Sequence, residues 1–332
     1  MISKRIVLIA DRIKDHDDAM LNMNNLEVVA DSYFNPLYCA LKKIATEVIH
    51  YETLEKFSEN IALHHNDVVL SIWSGVGSRN RRVLAPSICE ANKIAYVGAD
   101  SYLQAICHDK DLSKSFAAKY GIKSPYGILI YGENDFYKLR NLNYPVIVKP
   151  NFEGGSIGIF NCNVVYNYNE ASSLASLLLK SYIPVLAEEY IEGEEISFCI
   201  SGNLKEISLF EVIRQHINGK TYFKNEIMGA EYKKISTIEQ SWDNVTKQIK
   251  SADKENIITF YQHLGKADLI RIDGRINSNG FYLLELTTDV GISKKSIMTD
   301  AYISVGITYE QMLEEIINNA IQSWEYQNAS KQ

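Results

Sequence analysis

The chain has 332 residues, 46% hydrophobic and 23% charged, enough for two or three units with their own cores and too apolar for a disordered chain. Its formal charge of −7 repels nucleic acid, and no polybasic stripe offsets that repulsion. Cys39, Cys89, Cys107, Cys162 and Cys199 are widely spaced with no CxxC pair, which argues against zinc or a disulfide framework and for a reducing cytoplasm. About six apolar residues precede Asp11, too few for a signal segment, and no run approaches the ~18 apolar residues of a membrane span. A cytoplasmic protein without nucleic-acid or membrane partners is expected.

Over residues 1–100, apolar runs at Arg5–Ala10, Glu47–Tyr51 and Asp67–Trp73 read as buried strands, with helices near Pro36–Ile44, Leu54–Ala62 and Asn80–Asn92. That alternation predicts an open, mostly parallel α/β sheet. A dinucleotide fold is the obvious occupant, but the turn after the first strand, Ala10-Asp11-Arg12-Ile13-Lys14, lacks the glycines that admit a pyrophosphate. The dehydrogenase reading loses its main support.

Residues 101–186 read as a central unit: helices Ser101–Lys110 and Asp111–Tyr120, then strands near Tyr126–Ile130 and Tyr144–Lys149. The next segment, Glu153-Gly154-Gly155-Ser156-Ile157-Gly158, has the glycines of a mobile loop whose N–H groups can cover phosphate oxygens. Such loops are also common as plain hairpins. Lys149, ending the apolar strand Val146-Ile147-Val148, places an ammonium where it can reach the same phosphates. Residues 187–332 read as a strand-rich unit, with strands at Val185–Tyr190, Ile196–Ser201, Glu206–Ile213, Ala267–Arg275 and Phe281–Leu286. A long helical stretch, Ser241–Leu264, interrupts them, and an amphipathic helix, Tyr309–Trp324, closes the chain.

Asn277–Gly280 is a turn signal between two alternating runs, so Asp268–Thr287 predicts an antiparallel hairpin. Side chains two apart share a face. A loop of four or five residues would put Asp273 opposite Glu285 and Arg271 opposite Thr287, with Ile270, Ile272, Leu284 and Leu286 behind them in the core. Two facing carboxylates repel unless a cation neutralises them, and hard oxygen ligands near phosphates favour magnesium. The alternative is a surface salt-bridge ladder of little energetic weight.

Taken in order, Tyr96-Val97-Gly98 with Asp109-Lys110, Pro145 to Pro150, Glu153 to Gly158, Glu188 to Glu195, Arg271-Ile272-Asp273, and Glu285 with Gly291 resemble the ATP-grasp superfamily, specifically the D-alanine:D-alanine ligase family. The resemblance implies an N-terminal parallel α/β domain (1–100) followed by a two-subdomain ATP-grasp module (101–186 and 187–332). It implies ATP as cosubstrate, with one or two magnesium ions or manganese in their place. By position, Lys110, Lys149 and the loop residues Glu153, Gly154, Gly155 and Ser156 correspond to phosphate contacts, Glu188, Glu189 and Ile191 to adenine contacts, and Glu195 to the ribose acid. Asp273, Glu285 and Thr287 correspond to metal ligands, Arg271 and Gly291 to the groups that stabilise the tetrahedral intermediate, and Lys295 and Ser296 to the acceptor site. The implied reaction activates a small carboxylate as an acyl phosphate and passes it to an amine, with amino acids as partners. A homodimer is implied, and a carrier-bound acceptor is left open.

The chain departs from that pattern at the substrate end. Asp11 to Lys14 stand where the family has a glycine-rich turn with a glutamate, Ser74 to Arg81 replace an acidic segment, and Gly155 replaces a serine. Arg79, Arg81, Arg82 and Lys295 are therefore candidate ligands for a further carboxylate or phosphate. Lys224 is the candidate for the family's remaining phosphate lysine. These changes predict a ligase that does not join two D-alanines. The competing reading is a catalytically weak nucleotide-binding protein with a regulatory or assembly role.

Overall fold

The computed structural model describes residues 2–15, 27–75, 78–155, 157–224, 226–227 and 239–329; Ser156 lies outside the described residues. Its first sheet is parallel, in the order Val48–Tyr51, Ile6–Ile9, Val68–Ser71, Ala95–Tyr96. Ile6 to Ile9 are fully buried, as a strand covered on both faces must be. Leu8 and Leu70 share a core with Phe34 and Leu37 of helix Asp31–Ile44 and with Met312 and Ile316 of helix Tyr309–Ala329. Val7, Ile9 and Val69 face Phe57, Ala85 and Cys89 on the other side. The last helix of the chain thus packs on the sheet formed by its first hundred residues.

The second sheet is antiparallel, in the order Gly127–Ile130, Val185–Glu189, Val146–Pro150, Val164–Val165, with helix Tyr168–Leu178 against it. The expected boundary at residue 186 falls inside one of its strands. Helices Ser101–His108 and Lys110–Ala118, expected beside this sheet, instead supply Leu103, Cys107 and Ala117 to a core with Phe198, Phe260, Ile270 and Ile272. That core lies under the third sheet, ordered Gln240–Asn244, Ile207–Ile217, Gly193–Gly202, Leu269–Asn277, Gly280–Thr287.

The expected helix Ser241–Leu264 is corrected by the structure. Gln240–Asn244 is an edge strand paired with Ile213 to Ile217, and Asn244 ends it by accepting a hydrogen bond from the Thr246 N–H at 2.9 Å. Only Ser251–Gln262 is helical. Strand alternation and helix periodicity overlap across so short a polar stretch, and pairing with the neighbouring strand decided the matter.

The hairpin turn is also tighter than expected. Asn277 pairs with Gly280, leaving two residues in the turn, and that register carried back along the strands would oppose Asp273 to Leu284. A bulge between Asp273 and Gly274 shifts the pairing by one residue, so Asp273 faces Glu285 and Arg271 faces Thr287. The expected facing pairs are met by a tight turn plus a bulge rather than by a long loop. In consequence Leu283 enters the core, at 0% exposed, and Leu284 is half-buried. Gly274 is needed at the bulge, because a Cβ there would run into the Tyr282 carbonyl.

Lys266 clamps this hairpin to the first sheet. Its ammonium donates to the carbonyls of Tyr96 (3.0 Å) and Gly98 (2.7 Å) and pairs with Asp268. Asp268 in turn accepts from the Gly98 N–H at 2.9 Å and from Ser323 at 2.7 Å. The carboxyl ends of the parallel strands are thereby fixed against the hairpin face, with a cleft between them.

Candidate active site

The hairpin face is brought together as the alternation required. Arg271 Nε donates to Asp273 Oδ1 at 2.6 Å, and Thr287 Oγ1 donates to Asp273 Oδ2 at 2.9 Å. Ser197, on the neighbouring strand, adds a hydrogen bond to Asp273 Oδ1 at 2.6 Å; alternation along Ile196–Ser201 could have marked it. Burial opposes the Arg271 charge, but Asp273 more than offsets it and fixes the guanidinium as a cation. Asp273 and Glu285 are opposed on the paired strands and the Thr287 hydroxyl lies against Asp273, and carboxylate and hydroxyl oxygens are donors of the kind a hard divalent ion takes.

Lysines approach from the facing elements. Asp109 caps helix Lys110–Ala118, accepting from the Leu112 N–H at 3.0 Å, and also accepts from Asn151 Nδ2 at 2.8 Å. The helix start is thereby tied to the segment that leads into the glycine loop. Lys110, 2% exposed, reaches Glu285 Oε1 at 3.0 Å and donates to the Glu153 carbonyl. It touches the loop and the hairpin together.

Lys149 does not reach the hairpin carboxylates in the same way: it pairs with Glu188 Oε1 at 2.5 Å, while Lys114 pairs with Glu188 Oε2. Burial would raise the Glu188 carboxyl, but the two lysines outweigh it and hold it below the usual carboxylate range. Burial lowers Lys114 to about 8 despite Glu188. Lys114 escaped the sequence reading, although it lies one turn beyond Lys110 on the same helix face.

The adenine candidates Glu188, Glu189 and Ile191 lie along strand Val185–Glu189 and its exit, and the ribose candidate Glu195 lies on the next strand, Gly193–Gly202. The Glu189 carboxylate accepts two hydrogen bonds from Asn143, at 3.1 and 2.6 Å. Arg275 organises the strand exit, donating to the Ile191 carbonyl (2.8 Å), the Glu226 carbonyl (2.7 Å) and Glu195 (3.4 Å). Burial raises the Glu195 carboxyl, and Arg275 offsets this only in part. Lys224 is exposed at the edge of this region.

The substrate end differs from expectation. Asp11 accepts from the Ser74 N–H at 2.9 Å and pairs with its hydroxyl, so the two replacements noted at positions 11 and 74 are partners. Arg81 and Arg82 do not form an open anion site. Arg81 meets Glu27 at 2.8 Å and Glu153 at 3.1 Å, and Arg82 meets Glu27 and Asp289, each at 2.8 Å. Arg79 lies over the Phe152 ring at 5.7 Å.

Glu27 carries no signal in the sequence, yet its Oε1 stands 2.5 Å from where a Cβ on Gly154 would be. It occupies space that a side chain on the loop would need. Lys295 is exposed, and the Ser296 hydroxyl caps helix Ile297–Ser304, accepting from the Thr299 N–H at 3.3 Å. Neither lines the cleft, although Ser296 Cβ is 3.9 Å from a Cβ built on Gly291, which does. His108 also faces the cleft; burial, with Arg81, Lys110 and Arg82 nearby, lowers it to about 3, so its ring is neutral at physiological pH.

The frame is that of an ATP-grasp enzyme, an ATP-dependent ligase that forms C–N bonds. The solved D-alanine–D-alanine ligase of Bacillus anthracis in complex with ATP superposes with a TM-score of 0.74 at 20% identity, covering 98% of this chain and 100% of that one, a likeness of fold. Two relatives are close in sequence over most of their length. The D-alanine–D-alanine ligase A of Bacillus cereus is 28% identical over 234 residues, 70% of this chain and 74% of the relative. The D-alanine–D-alanine ligase of Pelagibacter ubique is 27% identical over 294 residues, 84% and 91%. Residues 134–318, more than half of the chain, match the family described as the D-ala D-ala ligase C-terminus, and the chain belongs to that family. No described helix is long and apolar enough to cross a membrane.

Proposed function

We propose that the chain joins a small carboxylic acid to an amine at the expense of ATP, through an acyl phosphate, and that its substrates are not two molecules of D-alanine. The observation that carries the chemistry is the hairpin face, where Arg271, Asp273, Glu285 and Thr287 meet Lys110 and the glycine loop. Lys110 and Lys149 neutralise phosphate charge, and the loop Glu153–Gly158 covers the phosphates and excludes water that would hydrolyse the acyl phosphate. Asp273, Glu285 and Thr287 would hold magnesium, which when bound would neutralise charge on the transferring phosphoryl group. Arg271, beside the Gly291 backbone, stabilises the oxyanion formed when the amine attacks.

Glu188, Glu189 and Ile191 flank the adenine and Glu195 the ribose; Lys295 and Ser296 lie outside the cleft lining, and a part for them in holding the acceptor rests on the family resemblance alone. What supports an altered acid is the substrate end: Asp11 is engaged with Ser74, and the Glu27 carboxylate, which stands against Gly154 and lines the cleft, is held by two arginines. An α-ammonium group would have to compete with those guanidiniums for it.

The test is ADP release by the full-length protein with Mg–ATP and paired acids and amines. Turnover that depends on one acid and one amine other than D-alanine is expected. Efficient D-alanine dimerisation would remove the altered-substrate reading, and ATP binding without acid-dependent turnover would remove ligation.

A further inference from the structure

The cleft is deeper than the reacting groups require. Besides Arg271, Glu285 and Gly291 it is lined by Val69, Ala85, Pro86, Cys89, Val97 and Ala99, at and beyond the carboxyl ends of the parallel strands. Most of these residues are buried. Gly98 is buried, yet a Cβ built on it would meet no heavy atom within 4 Å beyond its chain neighbours, while Tyr96 and Ala99 beside it are only 3% and 1% exposed. The side chains named with Val69 are apolar, and the polar pair that also lines the cavity, Thr288 and Gln104, is engaged in a hydrogen bond of 2.7 Å, so this end suits hydrocarbon better than water.

The orientation of an occupant is set by the polar residues. A carboxylate must lie where Arg271 and the phosphate-binding groups converge, so the part left to enter the apolar end is the side chain of the acid. Resting on the ligase reading above, we propose that the Gly98 chamber is a side-chain subsite, and that the activated acid carries an apolar group of leucine or phenylalanine size. The whole cavity is about 330 Å³, at the small end of the ~300–1,000 Å³ of ligand clefts. It must also hold the carboxylate, which leaves room for a compact group and none for a lipid tail.

The test uses the full-length protein and a graded series of acids: glycine, alanine, 2-aminobutyrate, norvaline, leucine and phenylalanine, in both configurations, each beside the carboxylic acid of the same skeleton without the amino group. Two readouts are taken, ADP release and calorimetric binding in the presence of a non-hydrolysable ATP analogue. Affinity and kcat/KM are expected to rise about fourfold per added methylene, the equivalent of ~0.8 kcal/mol for a buried methylene. Ala85→Leu, which fills the chamber, should lower the ratio of leucine to alanine kcat/KM at least tenfold; Val97→Leu serves if the first variant unfolds at a lower temperature than the parent. Graded binding without turnover would sink ligation and keep the subsite. Binding that is flat along the series, or best for alanine, overturns the subsite whatever the turnover.

Discussion

The nucleotide end of the cleft and its substrate end are assembled by different means. At the first, Arg271, Asp273, Glu285 and Thr287 are placed by the register of two paired strands, and Lys110 by a capped helix start. At the second, Glu27, Arg81, Arg82, Glu153 and Asp289 come from four separated stretches of chain and are joined by ion pairs alone. Backbone pairing holds a geometry whatever the neighbouring side chains are, whereas an ion-pair cluster is rearranged by exchanging one member. On the function proposed above, phosphoryl chemistry would sit on the rigid part, and the choice of acid would fall to the part that side chains define.

The comparison is broken most severely at Glu188, whose burial at 0% exposed between Lys114 and Lys149 makes it the keystone of the nucleotide end. Glu188→Gln should cost about 3–5 kcal/mol in urea unfolding, because it leaves two ammonium groups buried together; a loss below ~1 kcal/mol would show that the lysines have another partner. Arg271→Met should lower kcat by ~10²–10³, or ~2.7–4 kcal/mol, with little change in ATP affinity. If ATP affinity alone fell, Arg271 would belong to the nucleotide and not to the acyl step.

A smaller effect lies in the pH dependence of stability. Lys114 is lowered to about 8, below the ordinary lysine value, so between about pH 8 and pH 10 the unfolded chain binds the extra proton and stability climbs with pH. The slope approaches ~1.4 kcal/mol per pH unit, and Lys114→Met should flatten it; an unchanged slope would assign it to other groups. Smallest of all, Asp11→Ala and Ser74→Ala should each cost ~0.5–1.5 kcal/mol. A double-mutant cycle should show that the two losses do not add, since the hydroxyl bond lost in Ser74→Ala is lost in Asp11→Ala as well, along with the bond from the Ser74 N–H.

Legibility in the sequence divides along the same line. The facing of Asp273 with Glu285 was readable because a strand has period two and a turn signal fixed which runs pair. The turn length was misjudged and the bulge unforeseen, since both depend on Gly274 passing close to the Tyr282 carbonyl. Lys114 was overlooked because a lysine one turn along a helix reads as a solvated residue until its helix is known to face a buried glutamate. The arginines at 81 and 82 read as an anion site because their partner Glu27 lies after a stretch with no periodic pattern, more than fifty residues away.

By itself the sequence determined the local grammar of this protein: parallel apolar strands, a glycine loop behind a lysine-tipped strand, and a hairpin with acids and arginine on one face, because these arise from side-chain periods and turn chemistry within a few residues. Tertiary structure alone decided that the last helix covers the first sheet, that Lys110 touches both loop and hairpin, and that Arg81 and Arg82 pair with Glu27, Glu153 and Asp289. The physical reason is range. Hairpin pairing and capping act between near neighbours in the chain, while burial, ion pairing and the pairing of distant strands act between whatever the folded chain brings within a few ångström.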